Sequence, residues 1–237
     1  MSPYGLSSFY DGRKREKNFK KKNTNKNHIL NYSINHESSS QKQAFLMSDE
    51  EKIEKIEKHF FQIMKILGLD MSDDSLRRTP KRVAKMFIQE IFSGLNPKNT
   101  PSPSIFENKY KYNQMLIEKN ITVYSTCEHH FLPIVGKAHV GYISNGKVVG
   151  LSKINRIVNF YAKRPQVQER LTMQIVESLQ KMLETQDVAC VIEAKHLCVN
   201  SRGIRDIDSS TVTTELVGSF KKNSVIRREF LHHIGIS

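Results

Sequence analysis

The sequence predicts an α+β fold, a helical N-terminal part followed by a sheet with antiparallel pairing. Three observations predict it. Apolar residues recur at helical spacing between residues 53 and 91 and at strand spacing from about residue 120. An Asn145-Gly146 pair sits between two strand-like runs, a hairpin signal. The later elements read strand, strand, strand, helix, helix, strand, strand, without the regular alternation that makes a parallel sheet.

Taken in order, Ser48 and Glu51 have capping-box spacing. Ile53, Ile56, Phe60, Ile63, Met64 and Leu67 then share one helical face, and Gly68 ends the run. A second helix is expected from Thr79-Pro80, cap then first-turn proline, burying Val83, Met86, Phe87 and Ile91 and stopping at Gly94. Residues 96–103 are a turn-rich connection. Strands are expected over 121–126, 136–143 and 147–151. Ser152 is read as the cap of a helix running to about Lys163, where Pro165 breaks it. The next helix, about 166–184, carries Val167, Leu171, Ile175, Leu179 and Leu183 on one stripe. Strands at 188–198 and 211–220 and a helix at 224–233 complete the chain. Gly141 to Lys147 nearly spells a phosphate-binding P-loop, but Val148 stands where Ser or Thr would hold magnesium, and the segment reads as a hairpin.

The chain has 237 residues and a net charge of +13, with hydrophobic residues at only 38%. The apolar deficit is local. Residues 1–47 are rich in Asn, Ser and Lys and hold nine Lys/Arg against three Asp/Glu, which contributes +6 of the net charge. This segment is expected to be a disordered basic extension, with 48–118 as the helical part and 119–237 as the sheet domain. Its charges come without an aromatic rhythm or a nucleic-acid-binding module, so specific nucleic-acid binding is not expected. No stretch of eighteen consecutive apolar residues and no apolar signal region occurs, so neither membrane spanning nor secretion is expected. Three cysteines, two of them in metal-ligand motifs, point to a reducing, cytoplasmic setting.

Those motifs are Cys127-Glu128-His129-His130 and His196-Leu197-Cys198. C-x-x-H spacing lets one turn present a thiolate and an imidazole to the same zinc ion. Strand alternation would put His196 and Cys198 on one face. Cys127, His130 and Cys198 thus form a three-ligand set that leaves a tetrahedral zinc one open position, as in catalytic sites. A structural zinc would need a fourth protein ligand, for which His129 is the nearest candidate. Cys190 is read as packing.

A basic cluster accompanies the metal motifs. Ser152, Lys153 and Arg156 open a helix whose N-terminal amides and dipole suit phosphate. Arg202 follows Cys198 closely and should lie near the zinc. Lys163 and Arg164 read as plain solvated charge. Glu169 beside Gln168 could accept a pair of hydrogen bonds from an amidine-like edge, but a first-turn Glu stabilising the helix dipole is the commoner case.

Five motifs occur in order: Cys-Glu-His-His-Phe-Leu-Pro (127–133), Gly-Leu-Ser-Lys-Ile-Asn-Arg-Ile-Val (150–158), Gln-Val-Gln-Glu-Arg-Leu-Thr (166–172), His-Leu-Cys-Val (196–199) and Arg-Gly-Ile-Arg (202–205). With Arg78 to Met86 and Ile91 to Leu95, they make the chain resemble GTP cyclohydrolase I over roughly residues 50–235, the N-terminal extension lying outside.

The resemblance implies a tunnelling-type fold, a four-stranded antiparallel sheet backed by two helices. It also implies a homodecamer of two stacked pentameric rings with active sites between subunits, and it leaves open a regulatory protein as a further partner. The reaction it implies converts GTP and water to 7,8-dihydroneopterin triphosphate and formate, the first step of pterin and folate synthesis. Zn2+ on Cys127, His130 and Cys198 would activate water, and His196 would protonate the purine ring nitrogen. His129 and Ser152 would serve the ribose. Glu169, with Gln168, would hold the guanine edge. Lys153, Arg156 and Arg202 would neutralise the triphosphate, with Arg82 reaching in from a neighbouring subunit.

Overall fold

The computed structural model describes residue 44 and residues 46–236 apart from 103. The expectation of a disordered basic extension therefore falls almost entirely outside the described residues.

The first helix, α1 (Asp49–Ile66), begins at the expected capping box: Ser48 Oγ accepts from the Glu51 amide at 3.1 Å, and the Ser48 amide donates to Glu51 at 2.7 Å. Of its apolar stripe only Ile53 and Met64 are buried within this chain. Helix α2 (Thr79–Lys85) packs on α1 and has Arg78 at its cap, with Thr79 already inside the first turn and offering no side-chain cap. The chain then widens into a π-helical turn (Met86–Ile91), two 3-10 turns and a short strand β1 (Ile105–Glu107).

The main sheet is built from β2 (Met115–Cys127), β3 (Pro133–Ile143), β6 (Val188–His196) and β7 (Thr211–Leu216), in the spatial order β2-β3-β6-β7, all antiparallel. A two-residue strand β5 (Pro165–Gln166) adds in parallel to β2. Two helices, α3 (Leu151–Ala162) and α4 (Gln168–Leu183), back one face. This is the four-stranded, two-helix unit of a tunnelling-type fold. Strand structure starts earlier than residue 120 because β2 reaches back to Met115 across an irregularity between Glu118 and Ile121, where Asn120 adopts a φ of 62°.

Alternation along each strand assigns the two faces. Val123, Ala138, Val140, Tyr142, Cys190 and Ile192 meet Ile154, Ile157, Leu171, Ile175, Leu179 and Leu183 of the backing helices. Each such aliphatic side chain contributes roughly 1.5–3 kcal/mol on burial. Cys190 is fully buried, as expected of a packing residue, and burial pushes its thiol up. On the opposite face, Ala189 and Val191 pack against Phe220 of α6 (Ser219–Lys222) and Phe230 of α7 (Ser224–Ile234). No helix among the described residues is long and apolar enough to cross a membrane.

Two expected boundaries are corrected. The chain does turn at Asn145-Gly146, with Gly146 at a φ of 88°, but β4 (Lys147–Val149) does not return along β3. Both edges of β3 are taken by β2 and β6, so β4 pairs with β1 instead. The cap of α3 is Gly150, which places Ser152 inside the first turn.

His139 is 6% exposed on β3, and its Nδ1 accepts from the Asn120 amide at 3.4 Å. Burial, with Lys137 and Lys119 nearby, holds its imidazole below the ordinary value, opposed by Glu193. Its stability contribution is present above the unfolded pKa of about 6.5 and lost as pH falls from there through the lower folded value. Melting temperatures measured between pH 7.5 and 5 should therefore decline more steeply in the native protein than in His139→Gln.

Candidate active site

The site forms where β2 and β6 end and β3 begins. After Cys127 the chain makes a closed turn: the Cys127 amide donates to the Leu132 carbonyl and the Phe131 amide to the Cys127 carbonyl, each at 2.8 Å. Phe131 takes a φ of 55° to close it. The turn presents His129 and His130 outward while Cys127 remains buried. In the register of β3 and β6, Ile134 lies opposite His196, which brings the second motif alongside.

Strand β6 stops at His196, and Cys198 lies in a single helical turn, α5 (Leu197–Asn200), rather than in an extended strand. The change from strand to helix replaces the expected same-face alternation. Even so, the ligand atoms of Cys127, His130 and Cys198 all lie within 4.8 Å of one another. Burial, then the hydrogen bond to Cys127, pushes the Cys198 thiol up, with the Arg202 charge opposing. Burial and the neighbouring sulfur thus favour the protonated Cys198 thiol unless a cation takes the proton's place. Two sulfurs and one imidazole form a soft donor set that suits zinc, and three ligands leave a position open.

His129 lies beside this cluster, its Nδ1 3.7 Å from Cys127 Sγ, and it is exposed. His196 is half-buried and held from behind. Its Nε2 is 2.7 Å from Gln168 Oε1. Gln168 Nε2 faces the carbonyls of Ile192 and Thr211, both at 2.9 Å, and Thr213 Oγ1 at 3.1 Å. Two carbonyl acceptors require the amide NH2 on that side, so Oε1 must face His196 and accept from Nε2–H. Neutral His196 is thereby held as the Nε2–H tautomer, with Nδ1 left to exchange a proton. Burial holds its pKa below the ordinary value, and Glu169 opposes that shift.

Gln168 itself is 1% exposed. Expected beside Glu169 on the guanine edge, its side chain here faces inward with both amide atoms engaged, so it supports His196 rather than offering an open donor. Glu169 is exposed in the first turn of α4, and Ser152 is exposed in the first turn of α3. Lys153 is nearly buried, and its Nζ donates to Ser102 Oγ at 3.3 Å. With Arg156 and Lys163 it lines a cleft of about 350 Å³ between α3 and residues 93–102, so Lys163 joins the cationic group instead of being isolated surface charge. Arg164 also departs from that expectation: its guanidinium stacks over Phe160 and Tyr161, at 4.5 and 4.8 Å from the ring centroids. Arg202 is exposed just beyond α5. Arg82 is exposed on α2, whose packing within the chain is against α1 and the π-helical turn.

Sequence reading missed the supports behind these residues. Arg170 and Glu128 form an ion pair at 2.5 Å that joins α4 to the metal loop. They stand 42 positions apart, and the pairing of β5 with β2 helps bring them together.

The GTP cyclohydrolase I family model matches residues 56–235. GTP cyclohydrolase 1 of Flavobacterium johnsoniae is 64% identical over 203 residues, covering 86% of this chain and 91% of that protein. The Vibrio cholerae protein of the same name is 55% identical over 190 residues, 80% of this chain and 88% of its own. A third, from Vibrio parahaemolyticus, is 56% identical over 186 residues, 78% and 86% of the two chains. With both metal motifs inside the matched segment and their ligand atoms converging in space, the chain belongs to the GTP cyclohydrolase I family of enzymes.

Proposed function

We propose that this chain catalyses the zinc-dependent opening of the guanine ring of GTP and its rearrangement to 7,8-dihydroneopterin triphosphate, with release of formate. The observation that carries this reading is the convergence of Cys127, His130 and Cys198 within 4.8 Å, beside a histidine held in a single tautomer. Zinc on those three ligands would supply Lewis-acid activation of the attacking water.

The protein's own groups then divide the remaining work. His196, with Nε2–H tied to Gln168, uses Nδ1 to deliver and recover the proton at the purine ring nitrogen. Its depressed pKa makes the cationic form a readier donor. Glu169, at the exposed start of α4, accepts two hydrogen bonds from the guanine amidine edge. His129 and Ser152 act on the ribose as it opens. Lys153, Arg156 and Arg202 neutralise the triphosphate, and the first-turn amides of α3 add donors to it. Arg82 completes the anion site from a neighbouring subunit. In this reading, residues 119–237 carry the chemistry, and residues 48–118 contribute chiefly to the assembly, a decamer of two stacked pentamers. The exposed Ile63, Ile66 and Leu67 of the α1 end support such burial between subunits.

The test is GTP turnover by zinc-replete protein, following formate release and the fluorescence of the oxidised pterin, beside Cys198→Ala. Both signals should appear and both should vanish in the variant. Formate without pterin would remove the rearrangement from the assignment, and neither signal from folded, zinc-loaded protein would overturn the function.

A further inference from the structure

The metal loop is tied to α4 through a single arginine. Arg170 donates from Nη2 to Glu128 Oε2 at 2.5 Å and to the Pro165 carbonyl at 3.0 Å, and from Nε to Gln166 Oε1 at 2.8 Å. Each of these acceptors belongs to the bridge that holds Cys127 in place. Glu128 is the residue after Cys127, and its amide donates to the Gln166 carbonyl at 3.0 Å. Gln166 pairs with Cys127 in the register of β5 and β2. The Gln166 side chain is 1% exposed, and its Nε2 donates to the Tyr161 carbonyl and to Gln174 Oε1, both at 2.9 Å. Its Oε1 is left to Arg170.

The arginine thus grips both strands of the bridge, and it does so from the first turn of α4. That turn also carries Gln168, which holds His196, and Glu169. Without Arg170, the Glu128 carboxylate would lose the partner that orients it, and the turn from Cys127 to His130 would be held to α4 only through short β-bridge contacts. Glu128 Oε1 is 3.9 Å from His129 Nε2, so its orientation also bears on His129.

We propose that Arg170 is a positioning residue which, through Glu128 and Gln166, sets the metal loop against the helix turn bearing Gln168 and Glu169. The proposal rests on the metal-site reading above. It assigns to the Arg170–Glu128 pair a function in organising the site rather than in general stability. The side chains of both are about one-third exposed (32% and 33%), and an ion pair at that exposure adds little to folding.

Zinc affinity, measured by competition with a chromophoric chelator, separates these roles. Arg170→Met and Glu128→Gln should each weaken zinc binding by about tenfold, the usual scale for groups that orient ligands. The double variant should be no weaker than the worse single, because both substitutions break one unit. Arg170→Lys should recover part of the loss. Zinc-free Glu128→Gln should melt close to the native protein, whereas Arg170→Met also leaves the buried Gln166 Oε1 without a donor and should melt somewhat lower. A purely structural role would lower both melting temperatures and leave zinc affinity within twofold, which would overturn the proposal, as would fully additive losses. Glu128→Gln is nearly isosteric and keeps the Arg170 bonds to Gln166 and Pro165, so it decides the matter if Arg170→Met fails to fold. Native protein without tight zinc binding would remove the metal-site reading itself, and this proposal with it. Tight native binding that neither substitution disturbs would remove this proposal alone.

Discussion

His196→Ala should lower GTP turnover by roughly 10²–10⁴-fold, the span that loss of a positioned general acid–base commonly produces. The loss should fall on kcat rather than on zinc content or GTP affinity, because His196 is outside the Cys127, His130 and Cys198 set. Metal analysis beside steady-state kinetics checks both halves. Gln168→Ala tests the cause one step back. It removes the acceptor of the His196 Nε2–H and vacates three donor contacts. Turnover should fall again, by less than in His196→Ala, since the imidazole remains but is no longer restricted to one tautomer. Equal zinc content with full activity in His196→Ala would remove the histidine from the proton-transfer step.

Gly136→Val should be among the most destabilising single changes in the sheet. Gly136 lies in the central strand β3, between Val123 and Ala194. A Cβ there would stand 2.1 Å from the Glu193 carbonyl oxygen and 2.5 Å from both Ala194 Cα and Cβ. Two of these neighbours are backbone in a paired strand, which cannot move aside as a flexible side chain can. The cost should be about 3 kcal/mol, at the upper end for overpacking. For a domain of this size that corresponds to a fall in Tm of roughly 6–12 °C. Gly146→Ala is the control: its φ of 88° strains a side chain, but nothing lies within 4 Å, so the loss should be nearer 1 kcal/mol. Thermal melts of the two variants should differ by several degrees. Because Ala194 leads directly to His196, a surviving Gly136→Val protein should also lose activity.

Much of the molecule is legible in local patterns. Ser48 and Glu51 cap α1 as their spacing requires, since a capping box needs only residues three apart. The stripe Leu171, Ile175, Leu179 and Leu183 is fully buried, because helical period alone decides which side chains face a sheet. The three proposed zinc ligands were readable from their residue types and from the short spacing within each motif, and they converge as expected.

Other features depend on neighbours that spacing does not encode. Asn145-Gly146 specifies a turn, but the partner of β4 depends on which strand edges remain free, and β3 had none. Arg164 carries the same charge as any surface arginine, yet Phe160 and Tyr161 give it two rings to stack on. Gln168 is polar and sits next to a proposed ligand-binding Glu169, but the helical rotation between them turns one side chain into the sheet and the other outward. Most element types, the apolar faces and the chemical identity of the donors follow from local periodicity and side-chain chemistry, although the segment carrying Cys198 reads as strand and folds as a helical turn. The tautomer of His196, the orientation of Glu128 and the burial of particular charges come instead from long-range packing. Those outcomes are set by contacts between residues tens of positions apart, and a contact of that kind exists only once the sheet has closed around it.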